Sequence, residues 1–195
     1  IGHLVGETDQ FLRRQVLNNK FEKRIIITGN VCNKTIIKVI SRYINIVQLP
    51  FLYRLLTYVV RKIPSQNIIK PLGMTLHEYT LYKKVKSVVS LSSSENERGF
   101  ELIKKKYGID KNDWWVCFHA RDNAYFEKKH KQDMRYHDYR NCKISNMLPA
   151  MELIAQLGGY AIRYGDTCQE KLQVKNDRII DYSFNGRSDF LDVFF

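Results

Sequence analysis

Cysteine is scarce in this sequence, and its spacing fits neither a disulfide framework nor a metal site. The four cysteines, which lie far apart and form no CxxC motif, are Cys32, Cys117, Cys142 and Cys168. This excludes the common zinc and disulfide frameworks and fits a chain kept in a reducing cytoplasm. The most apolar segment, residues 50–63, is too short to span a bilayer and contains basic residues. No signal peptide is evident.

Positive charge, in contrast, is present in excess. The chain contains 32 Lys and Arg against 20 Asp and Glu, which gives a formal net charge of +12 and an isoelectric point of about 9.5. This balance indicates an anionic partner, either nucleic acid, an acidic membrane surface or a phosphorylated ligand, without distinguishing among them. Hydrophobic residues make up 44% of the chain, which is enough for a folded core and excludes a disordered chain.

The stretch WWVCFHARD, residues 114–122, organises our interpretation of the chain. Its first five residues form an apolar run, which predicts a buried strand of a parallel sheet with Cys117 in the core. Side chains at the C-terminal end of such a strand face the crevice where α/β proteins bind ligands. Alternation along an extended strand would point His119 and Arg121 the same way, which suits a phosphate or carboxylate. The alternative is that these polar residues only mark the end of the sheet.

Strand and helix patterns alternate along the rest of the chain. Short apolar segments that predict strands occur at residues 24–28, 45–49, 160–164 and 179–182. This alternation predicts an α/β fold with parallel sheets. We expect an N-terminal Rossmann-like domain over residues 1–93, a connecting helix and linker over 94–113, and the start of a second domain over 114–195.

Two of the predicted helices carry signals at their ends. Asn33 is placed to cap a helix from Lys34 to about Tyr43. Ser94 and Glu97 form an S-x-x-E capping box at the start of a second helix, which Gly108 ends.

The N-terminal segment IGHLVGE predicts a glycine turn at Gly2 and Gly6. A helix is expected to follow over residues 7–17, with Thr8 as a plausible N-cap. Such a turn can bring backbone N–H groups near an anion or a sugar. Glycine turns before helices are also common for packing reasons alone.

Residues 50–63, PFLYRLLTYVVRKI, form the most apolar helical pattern, with Pro50 suited to the first turn. The basic residues Arg54, Arg61 and Lys62 interrupt it. One interpretation is a core helix of the α/β domain. The other is a helix on an anionic membrane surface, whose inward side is formed by Phe51, Leu52, Leu55, Val59 and Ile63.

The second half of the chain carries further polar groups where predicted elements end. The long polar stretch 123–143 contains HDYRN with Arg140, which is either a solvated loop or a second wall of a site beside HARD. Asp166 follows the predicted strand 160–164. Ser188 is placed to cap a C-terminal helix, where its hydroxyl and the nearby N–H groups are available to an anion.

Taken in order, WWVCFHARD, HDYRN, GGYAIRYGD and DYSFNGRSDFLDVF resemble a family of bacterial glycosyltransferases found with surface-polysaccharide genes. The opening IGHLVGETDQFLRR is similar to that family's N-terminal glycine turn. The likeness is strongest over residues 114–194 and weak over 31–93. It implies a GT-B-like fold of two Rossmann-like halves with parallel sheets, of which the C-terminal half is truncated. Because the chain begins at Ile1 and ends within an apolar run at Phe195, we expect a fragment of a longer protein.

A wider resemblance is to the α1,6- and protein O-fucosyltransferase group, whose H-x-R motif is matched by His119 and Arg121. It implies that Arg121 binds the donor's β-phosphate and stabilises the leaving nucleoside diphosphate, with His119 supporting the phosphate or the sugar. Residues 188–190 are similar in position to a later donor-binding motif. Asp122 stands where some of those enzymes have a second arginine. The donor-binding candidates are Arg121, His119, Asp122, Arg140, Asp166, Ser188 and Asp189.

The implied reaction builds negative charge on a diphosphate, which Arg121 would stabilise electrostatically. The chain has no DxD motif, so we expect a metal-independent mechanism without a cofactor. A general base must deprotonate the acceptor hydroxyl, and the candidates by position are His3, Glu7 and Asp9. The expected partners are a nucleotide-sugar donor and a glycan or lipid-linked acceptor. We expect a cytoplasmic enzyme with possible peripheral contact to the inner membrane, and no nucleic-acid partner.

Two other classes of protein stay open. A basic nucleic-acid-binding α/β protein fits the charge, and HDYR could stack on bases, but the basic residues are spread along the chain and no such motif is visible. A steep salt dependence of oligonucleotide binding would favour this class. A non-catalytic α/β scaffold is the second alternative, and failure to bind any nucleoside diphosphate would favour it.

Overall fold

The computed structural model describes residues 2–21, 25–62, 79–125, 127 and 135–195. The chain is a mixed α/β protein that divides into two compact units, Ile1–Ser92 and Ser93–Phe195. Each unit contains a parallel sheet, as the alternation of strand and helix patterns predicts. In the described part of the chain these sheets have two and three strands, fewer than two full Rossmann-like halves require.

The described part of the first unit contains four helices and two strands. They are α1 (Gly2–Asn18), β1 (Ile25–Thr28), α2 (Lys34–Ile40), β2 (Asn45–Gln48), α3 (Tyr53–Lys62) and α4 (Tyr79–Lys84). The strands pair in parallel, with Ile25 opposite Asn45. The predicted start of α2 is confirmed, because the Asn33 side chain accepts a hydrogen bond from the Ile36 N–H at 3.1 Å. The core of this unit is formed by Leu12, Ile36, Val39, Ile40, Ile44 and Leu81.

The N-terminal segment differs from its prediction. Helix α1 begins at Gly2 instead of Glu7, so Gly2 and Gly6 are helical and do not form the expected turn. Thr8 is not an N-cap, because it lies within the helix and its hydroxyl donates to the Leu4 carbonyl at 2.6 Å. The low helix propensity of glycine is a weak preference, which the packing of the following buried turns overrides.

Helix α3 begins later than predicted, at Tyr53, and Pro50 lies in the preceding turn. The Leu49 N–H donates to the Thr28 carbonyl at 2.9 Å, and the Tyr53 N–H donates to the Leu49 carbonyl at 2.8 Å. These bonds attach the start of α3 to the C-terminal end of β1. Ile63, predicted as part of this helix, lies outside the described residues. Among the helices that the structure describes, none is long and apolar enough to cross a membrane.

The second unit is built on a three-stranded parallel sheet. Its helices and strands are α5 (Ser93–Tyr107), β3 (Trp115–Phe118), α6 (Leu148–Gln156), β4 (Tyr160–Arg163), β5 (Ile179–Asp181) and α7 (Leu191–Phe194), with 3₁₀ helices at Arg135–Arg140 and Ile144–Met147. The strands lie side by side in chain order, with Trp115 opposite Tyr160 and Arg163 opposite Asp181. All three C-terminal ends therefore meet at one edge.

Both faces of this sheet are covered by apolar side chains. One face packs with α5 and α7 in a cluster of Ile103, Ile109, Ile162, Ile180, Tyr182 and Leu191. The other packs with α6 in a cluster of Ala120, Ile144, Met151, Ala161, Leu172 and Ile179. Neighbours along a strand, such as Ala161 and Ile162, belong to opposite clusters, which is the alternation expected of a strand covered on both sides.

Helix α5 largely follows its prediction. It begins at Ser93, so Ser94 lies in the first turn and is not the N-cap that the predicted S-x-x-E capping box requires. The lysines at 104–106 form its exposed last turn, and Gly108, with φ of 72°, follows the helix as predicted. Ile103 is fully buried in the core of the second unit.

Strand β3 is less buried than predicted, and Cys117 is exposed and does not belong to the core. The physical reason is the strand order. β3 pairs only with β4 in the described sheet, so it lies at the edge, where fewer neighbours cover its side chains. The order of strands in a sheet cannot be read from an apolar run alone.

Candidate functional site

The three parallel strands of the second unit end at a common edge, where most of the predicted site residues lie. β3 leads into His119 and Arg121, β4 leads into Asp166, and β5 leads into the loop before α7. Gly165 lies at this edge in a crowded position. A Cβ atom there would come within 2.9 Å of Cys168 Sγ and 3.8 Å of His119 Nδ1. The distance to His119 is an ordinary contact, but a Cβ atom would also lie 3.3 Å from Ser183 Oγ, so the glycine lets the loops after β4 and β5 approach closely.

His119 is exposed at this edge and is held by a hydrogen bond to the neighbouring strand. Its Nδ1 lies 3.2 Å from the Tyr164 carbonyl oxygen. Because a carbonyl oxygen only accepts, Nδ1 carries the proton, and Nε2 of the neutral ring is an acceptor. β3 ends at Phe118, so His119 and Arg121 lie beyond the strand and the predicted alternation does not determine where they point. The hydrogen bond to Tyr164 orients the His119 ring instead. An exposed Nε2 can accept from a sugar hydroxyl.

Arg121 is half-buried in the loop that follows β3. Its backbone carbonyl accepts from the Cys142 N–H at 2.9 Å, which joins this loop to the end of HDYRN. Its Nη1 is buried and has no hydrogen-bond partner among the described residues. A buried guanidinium N–H without a partner costs free energy, so this position favours an added acceptor such as a ligand oxygen.

HDYRN contacts the loop after β3 through Asp138, which lies in the 3₁₀ helix Arg135–Arg140. Asp138 Oδ1 accepts from Asn123 Nδ2 at 2.5 Å and from Asn141 Nδ2 at 2.9 Å. The Oδ1 atoms of both asparagines are buried without a partner in the described part of the chain. The structure thus brings HARD and HDYRN together, and polar atoms at their junction are left unsatisfied.

Asp122 holds this loop in place. One carboxylate oxygen accepts from the Ala124 N–H at 3.0 Å, and the other accepts from the Gln169 N–H at 2.9 Å. Asp122 also lines a cavity of about 290 Å³, together with Lys143 and Arg163. Because both oxygens accept from backbone groups, its role is to orient the loop, and its charge is unsuited to contact a phosphate directly.

A second group of charges surrounds Arg187 in the loop before α7. Arg187 Nη1 lies 3.0 Å from Asp166 Oδ1, and Nη2 lies 3.8 Å from Asp189 Oδ1 and also pairs with Asp192. Two predicted donor-binding acids, Asp166 and Asp189, are therefore brought together by an arginine that the sequence analysis did not assign. An arginine among three carboxylates is already compensated and does not offer a free charge to a phosphate.

Asp192 lies at the centre of this network. Tyr182 donates to Asp192 Oδ1 at 2.8 Å, and the Tyr164 hydroxyl donates to the Asp192 carbonyl. Burial raises the pKa of the Asp192 carboxyl, although hydrogen bonds from Tyr182 and Arg187 oppose this rise. Burial, aided by the charge of Asp192, raises the pKa of Tyr164 to about 12. Burial alone would lower the pKa of Arg187, but the surrounding carboxylates, Asp192 first, raise it.

Ser188 and Arg140 have different surroundings. Ser188 Oγ accepts from the Leu191 N–H at 3.2 Å, so its hydroxyl binds the first N–H of the C-terminal helix, although the N-cap position itself is occupied by Phe190. Helix α7 has only four residues, and its start is therefore a weak anion site. Arg140 is exposed at the end of its 3₁₀ helix, where its side chain is accessible to a ligand.

The three candidates for the general base lie in α1 of the first unit. Glu7 is half-buried, Asp9 is buried, and the side chain of His3 lies outside the described residues. Asp9 accepts from the Val88 N–H at 2.8 Å and the Val89 N–H at 3.0 Å. It holds the segment before Ser92 against α1, which is a structural role.

The surroundings of Asp9 make it a poor base. It also accepts from Arg13 Nε at 2.6 Å and from Ser87 at 3.0 Å. Burial alone would raise the pKa of this carboxyl, but the hydrogen bonds from Val89, Arg13, Val88 and Ser87 lower it overall. A carboxylate stabilised in this way takes up a proton only in acid.

Arg163 and Asp181 form a buried ion pair that the sequence analysis missed. Their side chains are 1% and 5% exposed, and Arg163 Nη1 lies 3.0 Å from Asp181 Oδ1. Asp181 Oδ2 also accepts from the Leu172 N–H at 2.8 Å. The signal was present in the sequence, because Arg163 and Asp181 are the last but one residues of the predicted strands 160–164 and 179–182. In parallel register such residues become neighbours.

The fold and the site define an α/β protein with parallel sheets and with polar groups gathered at the C-terminal edge of the second unit. In the described part of the chain, no group of three or more His, Cys, Asp or Glu is placed to hold a metal ion. Comparison with known proteins adds no identity, since no protein-family model, no curated protein and no solved structure matches the chain.

Proposed function

We propose that the chain acts in sugar transfer, as a glycosyltransferase that takes its sugar from a nucleotide-sugar donor and passes it to a cell-surface glycan or lipid-linked acceptor. The observation that carries this proposal is the buried Nη1 of Arg121, which lacks a partner among the described residues and lies in a loop at the C-terminal edge of a parallel sheet. That edge is where α/β proteins commonly bind nucleotides. The H-x-R resemblance of His119 and Arg121 supports the same assignment.

In this proposal Arg121 binds the diphosphate of the donor. As the bond between the sugar and the diphosphate breaks, negative charge grows on the leaving group, and a fixed guanidinium stabilises that charge. The amide oxygens of Asn123 and Asn141, which lack partners among the described residues, accept hydrogen bonds from hydroxyl groups of the nucleotide-sugar. His119 contributes its exposed Nε2 to a sugar hydroxyl. Asp122 and Asp138 act indirectly, because they hold the two loops together.

The wider architecture belongs to the same proposal. The two units would correspond to the two halves of a GT-B-like enzyme, with the first on the acceptor side. The enzyme would work in the cytoplasm, at the inner membrane, without a metal ion. Of the predicted donor ligands, Asp166 and Asp189 would contact sugar hydroxyls, since their charge repels a diphosphate and Arg187 already pairs with both.

The test is a calorimetric titration of the 195-residue chain with GDP, UDP, CMP and ADP. We expect saturable binding of one nucleotide class. Arg121→Ala should weaken it by about 1.5–3 kcal/mol, the contribution of a hydrogen bond to a charged group, which is roughly a factor of 10 to 150. Arg178→Ala is the matched control, because it removes the same charge at the opposite edge of the sheet, where Arg178 precedes β5.

Two results would overturn the proposal. One is the absence of binding to all four nucleotides by a chain whose circular dichroism shows that it is folded. The other is an equal loss of affinity in the Arg121 and Arg178 variants, which would mean that only the net charge matters. Either result would favour a non-catalytic scaffold or a nucleic-acid-binding protein.

A further inference from the structure

Helix α3 and the turn before it expose a row of large apolar side chains. Phe51 is 97% exposed, Leu55 59% and Tyr58 64%, while Leu52 and Val59 are 53% and 43% exposed. The Tyr53 N–H donates to the Leu49 carbonyl at 2.8 Å, which is the spacing of a helical turn, so the turn of residues 50–52 leads into α3 with a helix-like arrangement. With about 100° between successive residues, these five side chains fall within an arc of about 120°. We call them the apolar arc.

The apolar arc faces away from the contacts that hold α3 in place. The helix is attached at its start, where Tyr53 N–H donates to the Leu49 carbonyl and a Cβ atom on Gly29 would lie 3.2 Å from the Tyr53 ring. Tyr53 is therefore on the side that packs against the end of β1. By helical periodicity the arc lies on the other side of the helix, where its five side chains are between 43% and 97% exposed.

The sequence around the arc is basic over a long distance. No Asp or Glu occurs between residues 23 and 77, and this stretch contains nine Lys and Arg. Residues 1–92 as a whole contain 15 Lys and Arg against 4 Asp and Glu, whereas residues 93–195 contain 17 against 16. The excess positive charge of the protein therefore belongs almost entirely to the unit that exposes the arc. This charge favours an anionic partner.

We propose that the apolar arc docks on an anionic phospholipid surface. An amphipathic helix with large apolar residues on one side and basic residues nearby is suited to lie in the plane of a membrane interface. The apolar side chains enter the boundary of the acyl chains, while the positive charge of the unit is attracted to acidic headgroups. Nucleic acid fits less well, since Leu52, Leu55 and Val59 are aliphatic and can neither stack on bases nor donate hydrogen bonds.

This proposal is independent of the proposed sugar transfer, because it concerns a different unit and does not involve Arg121. It also assigns a physical role to the positive charge. A membrane contact through the first unit would hold the protein where lipid-linked molecules are, whatever reaction the second unit carries out.

Co-sedimentation of the 195-residue chain with vesicles tests the proposal. We expect binding to vesicles of which about a third of the lipid is phosphatidylglycerol, little binding to pure phosphatidylcholine, and weaker binding as salt is raised. Leu55→Glu should reduce the affinity by about 10-fold or more, because a carboxylate replaces a side chain that enters the membrane. Leu153→Glu is the matched control, with the same substitution at a helical leucine of the second unit that is 54% exposed.

A second variant keeps the test independent of any effect on folding. Phe51→Trp changes a side chain that is 97% exposed, so the fold should tolerate it. We expect its added fluorescence to shift to shorter wavelength with anionic vesicles and not with neutral ones, since the indole enters an apolar environment.

Three results would overturn the membrane assignment. The first is no binding of the unmodified chain to anionic vesicles. The second is an equal effect of Leu55→Glu and Leu153→Glu, with no fluorescence shift for Phe51→Trp. The third is a dimer in sedimentation experiments that Leu55→Glu dissociates while vesicle binding is unaffected, which would assign the arc to a second copy of the chain.

Discussion

The two units of this protein use their apolar residues in opposite ways. Among the described residues, the first unit has six buried hydrophobic residues and fourteen large exposed ones, whereas the second has fourteen buried and six exposed. In the second unit, both faces of the sheet are therefore covered by apolar side chains. In the first unit, apolar side chains of α3, β1 and β2 remain exposed at the surface. Exposed apolar residues on this scale indicate a surface that binds a partner.

The two units also differ in their net charge. The second unit is nearly balanced in charge and buries pairs such as Arg163 with Asp181, whereas the first has a formal charge of +11. Balanced charges that pair internally contribute to the fold and to a site. Unbalanced charges attract a partner. The comparison supports the two proposals above, in which the second unit contains the site for sugar transfer and the first unit binds an anionic surface.

The largest effect should come from breaking the buried pair of the second unit. Asp181→Ala leaves the Arg163 guanidinium, 1% exposed, without its carboxylate and also removes the acceptor of the Leu172 N–H. An uncompensated buried charge typically costs about 3–5 kcal/mol. Both tryptophans of the chain lie in this unit, so urea unfolding followed by tryptophan fluorescence reports on it directly.

Two further variants sharpen that measurement. Asp177→Ala removes the same charge from an exposed turn just before β5 and should have little effect. The double variant Arg163→Met/Asp181→Leu replaces the pair by apolar side chains and should recover most of the lost stability. If the double variant is as unstable as Asp181→Ala, the pair does not act through its uncompensated charge.

A smaller effect is expected from the carboxylate that organises the first unit. Asp9→Asn keeps the size of the side chain but removes the charge that accepts from Val88, Val89 and Arg13. We expect a loss of about 1.5–3 kcal/mol, the contribution of hydrogen bonds to a charged group. The readout is amide hydrogen exchange, in which the Val88 and Val89 N–H groups should lose protection.

Glu7→Gln provides the control for this prediction, because it removes the same charge from the same helix two residues earlier. It should change the exchange of Val88 and Val89 much less than Asp9→Asn does. Equal effects of the two variants would mean that the charge of α1 as a whole, and not the Asp9 hydrogen bonds, holds this segment.

Much of the fold could be predicted from the sequence, because its signals are local. Short apolar segments located all five described strands to within one residue at each end. Asn33 and Gly108 act at helix ends through bonds and backbone angles within one turn. The start of α1 was predicted wrongly because its signal is not local. The packing of the later turns of α1 stabilises the helix more than the low helix propensity of Gly2 and Gly6 destabilises it. Cys117 was misplaced because the edge position of β3 depends on strand order.

The candidate site was predicted only in part for a similar reason. Residues at strand ends, such as His119 and Asp166, are visible in the sequence because the chain itself marks where strands stop. Their partners are not visible. The pairing of Asn123 with Asp138 spans 15 residues, and that of Arg187 with Asp166 depends on how the loops after β4 and β5 meet. Register and loop packing determine these contacts, and neither is encoded locally.

The smallest effect concerns pH, and it should have opposite signs in the two units. Asp9 has a lowered pKa, so its contribution to stability is present above the ordinary value of 3.8 and is lost as the pH falls through the lowered one. Asp192 has a raised pKa because of its burial, so folding favours its protonated form, and its contribution declines as the pH rises through the raised value. The two carboxyls thus respond to acid in opposite directions.

Each contribution can be isolated by comparing the protein with its Asn variant over a range of pH. As the pH falls from neutral toward 3.8 and below, the advantage of the unmodified protein over Asp9→Asn should shrink, measured by exchange of Val88 and Val89. Over the same range the unmodified protein should gain stability relative to Asp192→Asn, measured by tryptophan fluorescence of the second unit. If both differences change in the same direction, the carboxyl of Asp192 is stabilised by Arg187 more than burial destabilises it. Asp192 in the second unit would then resemble Asp9 in the first, because both would be stabilised in their charged form.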